Sequence, residues 1–482
     1  MSSESRVVST VHGPVRGDCR PDGSVCFLGI PYARAPIGDL RFAAPVPPEA
    51  WTTVRDATAY GPTAKRRIGA ASTTIPEPTV PGDGILNLNV FTPDTAPDRP
   101  LPVLVWIHGG GFVEGSPASP WYDGAAFNRD GVIVVSVGYR LGVEGFLHLD
   151  DAPANRGVLD WIAALEWVRD NIALFGGDPA KVSVAGQSAG GGAALALLTA
   201  PAARGLFRAV ISASGALMRP DGPDVARTAA RLFTARTGVP ATAAALRDLD
   251  AGTLLDLQER FLAPGPDREG LPLLLTLGPF ADGEVIPRPV FTALTEDDAG
   301  ADIPLLLGCT TQEFNTVPTL PGTPPPGPLL RNLGLSPERA ESAARVYAES
   351  ATEGYFGQIL TDCLFRAPTA EVADARARRG RPTWLYEFDW KSPATGLASH
   401  CVDVPFAFDA LGAEGVEAAL GDAPPQDLAD TVHRAWANFV RSLAPGEEWP
   451  DYANDERTAM VWSGASRPMS DPLASVRALW SV

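Results

Sequence analysis

Gly186-Gln187-Ser188-Ala189-Gly190 sets a serine close to two glycines, with a β-branched apolar stretch running in and a small-residue stretch running out. A serine on so tight a strand-to-helix turn has its hydroxyl lifted above the sheet, where it can act as a nucleophile. The pattern alone is weak in a chain with 48 glycines, but the flanking strand and helix patterns sharpen it. Side chains in place of the glycines would collide with the neighbouring strand and helix. The following helix N-terminus favours negative charge developing nearby.

A nucleophilic serine needs a base, and the chain has five histidines: His12, His108, His148, His400 and His433. Nucleophile-elbow enzymes run serine, acid, histidine along the chain, which leaves His400 and His433. His433 shares a helical pattern with Leu428, Val432, Trp436 and Phe439 and is expected on its surface or flank. His400 lies in a loop beyond a strand, where sheet enzymes gather catalytic groups, and is the expected base. Glu313, shortly after another apolar strand, is the best-placed acid, though pattern alone leaves a solvated loop glutamate equally open. His108-Gly109-Gly110-Gly111 follows a strand 80 residues before the serine. Its free backbone N–H groups, with that of Ala189, suit a tetrahedral oxyanion, each donor being worth about 2.7–4 kcal/mol in the transition state. His108 is then a support for the loop.

These residues need a scaffold. Leu101 to Ile107, Val132 to Val137 and Lys181 to Ala185 are short apolar runs that suit strands buried on both faces. Between the last two, Trp161, Leu165, Val168 and Ile172 share one face of a predicted helix over Gly157 to Phe175, closed by Gly176-Gly177 and Pro179. Another helix opens over Ala189 to Leu198. Alternation of this kind predicts a doubly wound α/β sheet. From Arg219 to about Gly300 the text turns to Ala-, Arg- and Leu-rich helical segments, read as an insertion over the sheet. Strand signals return at Ile303 to Leu307 and Thr383 to Phe388. Pro-rich loops at Thr74 to Gly84 and Val317 to Pro328 are candidate binding rims.

Composition narrows the class. The chain has 482 residues, 45% hydrophobic and 20% charged, as in ordinary globular enzymes. Lys and Arg number 39 against 57 Asp and Glu, a net charge of −18 that argues against nucleic-acid binding. No apolar run approaches the roughly 18 residues of a spanning helix, so no membrane partner is expected. Five scattered cysteines without a CxxC pair, and no secretory leader pattern, lead to an expected cytoplasmic location, with a Cys19–Cys26 loop left open. No HExxH or Cys/His cluster is present, and neither metal nor organic cofactor is expected. A monomer is expected.

Further motifs run nearly end to end: Phe27-Leu28-Gly29-Ile30-Pro31-Tyr32-Ala33 with Leu40-Arg41-Phe42, Leu86-Asn87-Leu88-Asn89-Val90, Tyr139-Arg140-Leu141-Gly142, Asn155-Arg156-Gly157, Phe175-Gly176-Gly177-Asp178-Pro179 and Gly205-Leu206-Phe207-Arg208-Ala209. In these the chain resembles the type-B carboxylesterases, the bacterial branch of the carboxylesterase/cholinesterase family. The resemblance implies an α/β-hydrolase fold over residues 1–482 as a single domain. Its large, mostly parallel central sheet would be flanked by helices, with helical insertions near the active site, here at about 219–300. It implies Ser188, Glu313 and His400 as the triad and Gly110, Gly111 and Ala189 as oxyanion donors. Ser214 and Asp403 take the positions of a serine and a carboxylate that support the acid and base.

Departures from the family pattern are informative. Gln187 stands where glutamate is usual, which should weaken any preference for cationic substrates. Ile85 replaces a cysteine used in the disulfide of secreted members. Gly138 replaces a common asparagine, without an account in the sequence. Nothing between Tyr60 and Gly84 resembles the choline-binding tryptophan region. The expected activity is hydrolysis of short-chain or aromatic carboxylic esters, small molecules, through an acyl-enzyme on Ser188. Amide, thioester or lactone cleavage at the same site is the alternative, since fold and triad do not fix the leaving group. A non-catalytic binding relative is disfavoured by the presence of both serine and histidine. Phe112, Phe314 and Gln187 are the candidate pocket residues.

Overall fold

The apolar runs around Val105, Val135 and Val184 become the middle of one sheet, each strand covered on both faces. The computed structural model describes residues 5–67, 74–215, 221–265, 267–268, 270–272, 275–320, 322–350, 354–453 and 456–480. Its strands are β1 (Ser5–Ser9), β2 (Pro14–Cys19), β3 (Val25–Pro31), β4 (Arg55–Asp56), β5 (Asn87–Thr92), β6 (Leu101–Ile107) and β7 (Ile133–Val137). They continue with β8 (Gly177–Gln187), β9 (Ala209–Ala213), β10 (Leu305–Thr310), β11 (Thr383–Phe388), β12 (Thr458–Trp462) and β13 (Arg467–Ser470). The order across the sheet is β1-β2-β3-β5-β7-β6-β8-β9-β10-β11-β12-β13, with β4 beside β2. Every pairing from β7 to β12 is parallel, while the two edges are antiparallel except for the short β4, which pairs parallel with β2.

This is the α/β-hydrolase fold. The strand order reverses at β6, with β7 on one side and β8 on the other, and the loops leaving β6 and β8 face each other across that switch point. Open α/β sheets place their ligand crevices there.

The helix Arg156–Asn171 buries Trp161, Leu165 and Val168 on the sheet, and a 3-10 turn over Ile172–Phe175 ends at Gly176 with φ 87°. Each such fully buried large apolar side chain contributes about 1.5–3 kcal/mol. Asp160 on the same helix pairs with Arg140 at 2.7 Å, both side chains almost wholly buried, so part of the Tyr139-Arg140 motif is an internal ion pair. Gly138 now has a reason: a Cβ there would stand 2.9 Å from the Ile85 carbonyl oxygen.

Between β9 and β10 lie the helices Pro223–Thr237, Ala243–Leu246, Ala251–Leu262 and Val290–Thr295. They pack inward through Phe233, Leu254, Leu257 and Phe261. The first two positions expected in this insertion, 219 and 220, lie outside the described residues. Among the described residues, no helix is long and apolar enough to cross a membrane.

Candidate active site

Five neighbouring strands, β6, β8, β9, β10 and β11, deliver the candidate residues from their carboxyl ends. Ser188 directly follows β8, with φ 58° and ψ −123°. Such a backbone in a non-glycine residue costs about 1–3 kcal/mol and is held only by its surroundings. The Ser188 N–H donates to the Ala213 carbonyl at 2.9 Å, and the helix Ala189–Thr199 starts at once. The flanking glycines are required by packing, since a Cβ at Gly190 would overlap the Ile107 carbonyl oxygen and one at Gly186 would overlap Gly190.

His400 comes twelve residues after β11 and is 6% exposed. Its Nε2 lies 2.9 Å from Ser188 Oγ, and its Nδ1 lies 2.5 Å from Glu313 Oε2. The His400 N–H also donates to the Glu313 carbonyl oxygen at 2.9 Å, so the two loops are tied by main chain and side chain. Glu313, wholly buried three residues after β10, accepts from Ser214 Oγ at 2.6 Å and from the Thr310 N–H at 2.7 Å through Oε1. Its oxygens are thus divided, one for the protein and one for the imidazole. Burial alone would lower the His400 pKa, but Cys401 and the Glu313 carboxylate outweigh it and raise it well above the usual imidazole range. Burial raises the pKa of the neighbouring Cys401 thiol as well.

Asp403 is buried beneath this pair, accepting from Tyr386 Oη at 2.9 Å. Burial, then the neighbouring Glu313 charge, pushes its carboxyl up to about 6. Ser214 and Asp403 therefore both flank the Glu313–His400 pair, Ser214 by a direct bond to Glu313 and Asp403 by its charge.

The loop after β6 closes the other side. A Cβ at Gly109 would come 2.8 Å from the Gln187 carbonyl oxygen and 3.2 Å from Ser188 Cβ, so this backbone lies directly against Ser188. Gly110 and Gly111 have φ of 107° and 60°, conformations open to glycine at little cost. The Gly110 carbonyl accepts from the Val113 and Glu114 N–H groups at 3.0 and 2.8 Å, which closes the turn. Burial drives the His108 pKa down to about 3. The neutral ring donates from Nδ1 to the Gly109 carbonyl at 2.8 Å and stacks on Tyr139, which makes it a brace for the loop.

The candidate pocket residues separate. Phe112 is buried against Phe146 and Trp161, at 5.1 and 6.1 Å between ring centroids, and belongs to the core. Gln187 is wholly buried with its Nε2 3.3 Å from His400 Nε2, so its side chain faces His400. Phe314 stays half-buried, its ring edge-on to His400 at 5.1 Å. His433 is not a surface residue. It is buried, with Nδ1 2.8 Å from the Ala407 carbonyl and Nε2 2.9 Å from Asp130, away from the serine.

Two neighbours of the site were not expected. Phe365 sits in a π-helical turn, Asp362–Arg366, and packs on both His400 and Phe314, at 5.0 and 5.1 Å. Such turns often mark functional positions, but a single extra residue in a helix leaves no pattern to read. Leu275, from the insertion, reaches to within 3.5 Å of where a Gly111 Cβ would stand.

The sequence model of the carboxylesterase family matches residues 4–321 and 340–473. Over 487 residues the chain is 36% identical to the para-nitrobenzyl esterase of Bacillus subtilis (strain 168), covering 98% of both. It is 33% identical to the phenmedipham hydrolase of Pseudarthrobacter oxydans over 480 residues, covering 92% of both. A solved carboxylesterase of Geobacillus stearothermophilus superposes with a TM-score of 0.84 at 35% identity, covering 98% of this chain and 100% of the other.

Proposed function

Because the chain belongs to the carboxylesterase family and is a carboxylic ester hydrolase, we propose that Ser188, Glu313 and His400 carry the reaction as nucleophile, acid and base. The observation that carries this reading is the unbroken line Ser188 Oγ–His400–Glu313, 2.9 and 2.5 Å long and buried throughout.

Ser188 Oγ attacks the ester carbonyl carbon while His400 Nε2 takes its proton, and Nδ1–H stays on Glu313, which stabilises the imidazolium. The carbonyl electron pair moves to oxygen, which rests on the N–H groups of Gly110, Gly111 and Ala189. Collapse of the intermediate breaks the bond to the alcohol, which leaves with the proton from His400. Water then repeats the sequence on the acyl-enzyme and frees the acid. Gln187 in place of a carboxylate supports neutral esters as the substrate class, and the half-buried Phe314 ring beside the base supports short-chain or aromatic acyl groups. The continuous sheet supports one domain with an insertion at about 219–300. Cys19, Cys26, Cys309 and Cys401 form no disulfide, which supports a cytoplasmic location.

Hydrolysis of p-nitrophenyl butyrate by wild type and Ser188→Ala tests the reading, with fluorophosphonate labelling alongside. Turnover and labelling in the wild type, both lost in a folded variant, are expected. Substantial turnover by Ser188→Ala would sink the assignment.

A further inference from the structure

We propose that Glu77 is a positioning residue for the oxyanion loop, an assignment that rests on the reading of Gly110 and Gly111 as oxyanion donors. Glu77 belongs to the Pro-rich stretch from Thr74 to Gly84, far from the serine in sequence. Its Oε2 accepts the Gly115 N–H at 2.7 Å. Bonds from an N–H to a charged carboxylate are roughly twice as strong as neutral ones.

Two features show that this contact governs the loop. First, Gly115, with φ 102°, packs closely on the start of the loop. A Cβ there would overlap both the Gly109 carbonyl oxygen and the His108 ring. The residue that Glu77 holds is thus wedged against the residue before Gly110. Second, the carboxylate is itself locked. Arg66, whose side chain is wholly buried, donates from Nε to Glu77 Oε2 at 3.1 Å and from Nη2 to the Glu77 and Pro78 carbonyls at 2.8 and 3.2 Å. Its Nη1 donates to the Ala64 carbonyl at 3.1 Å. Ser116 Oγ adds a tie to the Pro78 carbonyl at 2.8 Å. The strap therefore grips the closing end of the Gly109–Gly115 turn, and the N–H groups at the other end inherit its rigidity. A donor serves the transition state only when it is aimed in advance at the oxyanion.

The test compares wild type, Glu77→Ala and Glu77→Gln in kcat and KM for p-nitrophenyl butyrate. It also compares their inhibition by an aryl trifluoromethyl ketone and by the matching methyl ketone. The fluorinated ketone adds Ser188 Oγ reversibly to give a hemiketal oxyanion, whereas the methyl ketone samples binding without that charge. Glu77→Ala should lower kcat on the order of 10²-fold while KM stays near the wild-type value. Affinity for the trifluoromethyl ketone should fall in parallel and that for the methyl ketone should hold. Glu77→Gln should recover most of both losses, since its amide oxygen still accepts from Gly115. If Glu77→Ala fails to fold, Glu77→Asp, one methylene short, takes its place with the same expected direction. Wild-type kcat in Glu77→Ala, equal loss on both ketones, or no recovery in Glu77→Gln would overturn the role of Glu77 alone. A wild type that binds the two ketones equally would overturn the oxyanion reading, and this proposal with it.

Discussion

Gln187 Nε2 lies 3.3 Å from His400 Nε2, the same nitrogen that Ser188 Oγ approaches at 2.9 Å. With Nδ1–H committed to Glu313, the neutral ring offers one lone pair to two donors. Gln187 Oε1 is buried and has no partner among the described residues. An amide donor in this place favours the neutral ring, where a carboxylate would favour the imidazolium.

Gln187→Glu should therefore raise the His400 pKa and move the acid limb of kcat/KM to higher pH, on the order of one unit. The new charge should also favour cationic esters over neutral isosteres. A pH–rate profile on matched choline and neohexyl esters checks both. An unmoved limb with unchanged selectivity would mean that the amide does not act on the base.

Glu313→Gln tests the opposite side of the ring. Catalysis needs the neutral imidazole, so activity falls as pH drops through the His400 pKa. Glu313 helps to hold that pKa high. Removing its charge should shift the acid limb to lower pH, and loss of the correct tautomer should cost up to about 10⁴ in kcat. A limb that stays in place would show that another group sets it.

The central half of this molecule is legible in its text because its elements are local. Continuous apolar runs such as Leu101–Ile107 and a helical stripe such as Trp161-Leu165-Val168 carry their own periodicity, and Ser188 lies at the junction of two of them. The antiparallel edge strands are harder. β2 alternates only weakly, and β12 and β13 are short pieces, β12 joining the sheet only through the distant β11. Contacts with no local signature are invisible altogether. His433 reads as a flank residue because Asp130, which makes its burial tolerable, lies 303 positions away. Glu77 and Phe365 likewise matter only through what folding brings to them.

Asp403 makes a stability prediction with a defined sign. Its folded pKa, about 6, lies above the ordinary carboxyl value of 3.8, so folding favours the protonated form. That contribution is full below 3.8 and is lost as pH rises through about 6, above which the ionised group carries a cost on the order of 3 kcal/mol. Asp403→Asn keeps an acceptor for Tyr386 and removes the charge. It should be more stable than wild type at pH 7, with the gap closing toward pH 4. Urea unfolding at several pH values measures this, and a gap independent of pH would refute it.

Gly190→Ala probes the elbow itself. Its single added methyl cannot escape by rotation, because the atom it meets is the Ile107 carbonyl oxygen of β6, and the next is the carbonyl of His108 at 2.9 Å. Either the helix Ala189–Thr199 lifts from the sheet or the loop that carries Gly110 and Gly111 moves. Overpacking with backbone displacement costs about 1–3 kcal/mol. The variant should unfold at distinctly lower urea, and any folded fraction should label slowly with fluorophosphonate because the serine and the loop no longer meet. Gly205→Ala, at a site with positive φ but open space around it, is the control. It should lose some stability through backbone strain alone and label at the wild-type rate. Equal labelling rates for the two variants would mean that the close approach of helix and strand is not what sets the nucleophile.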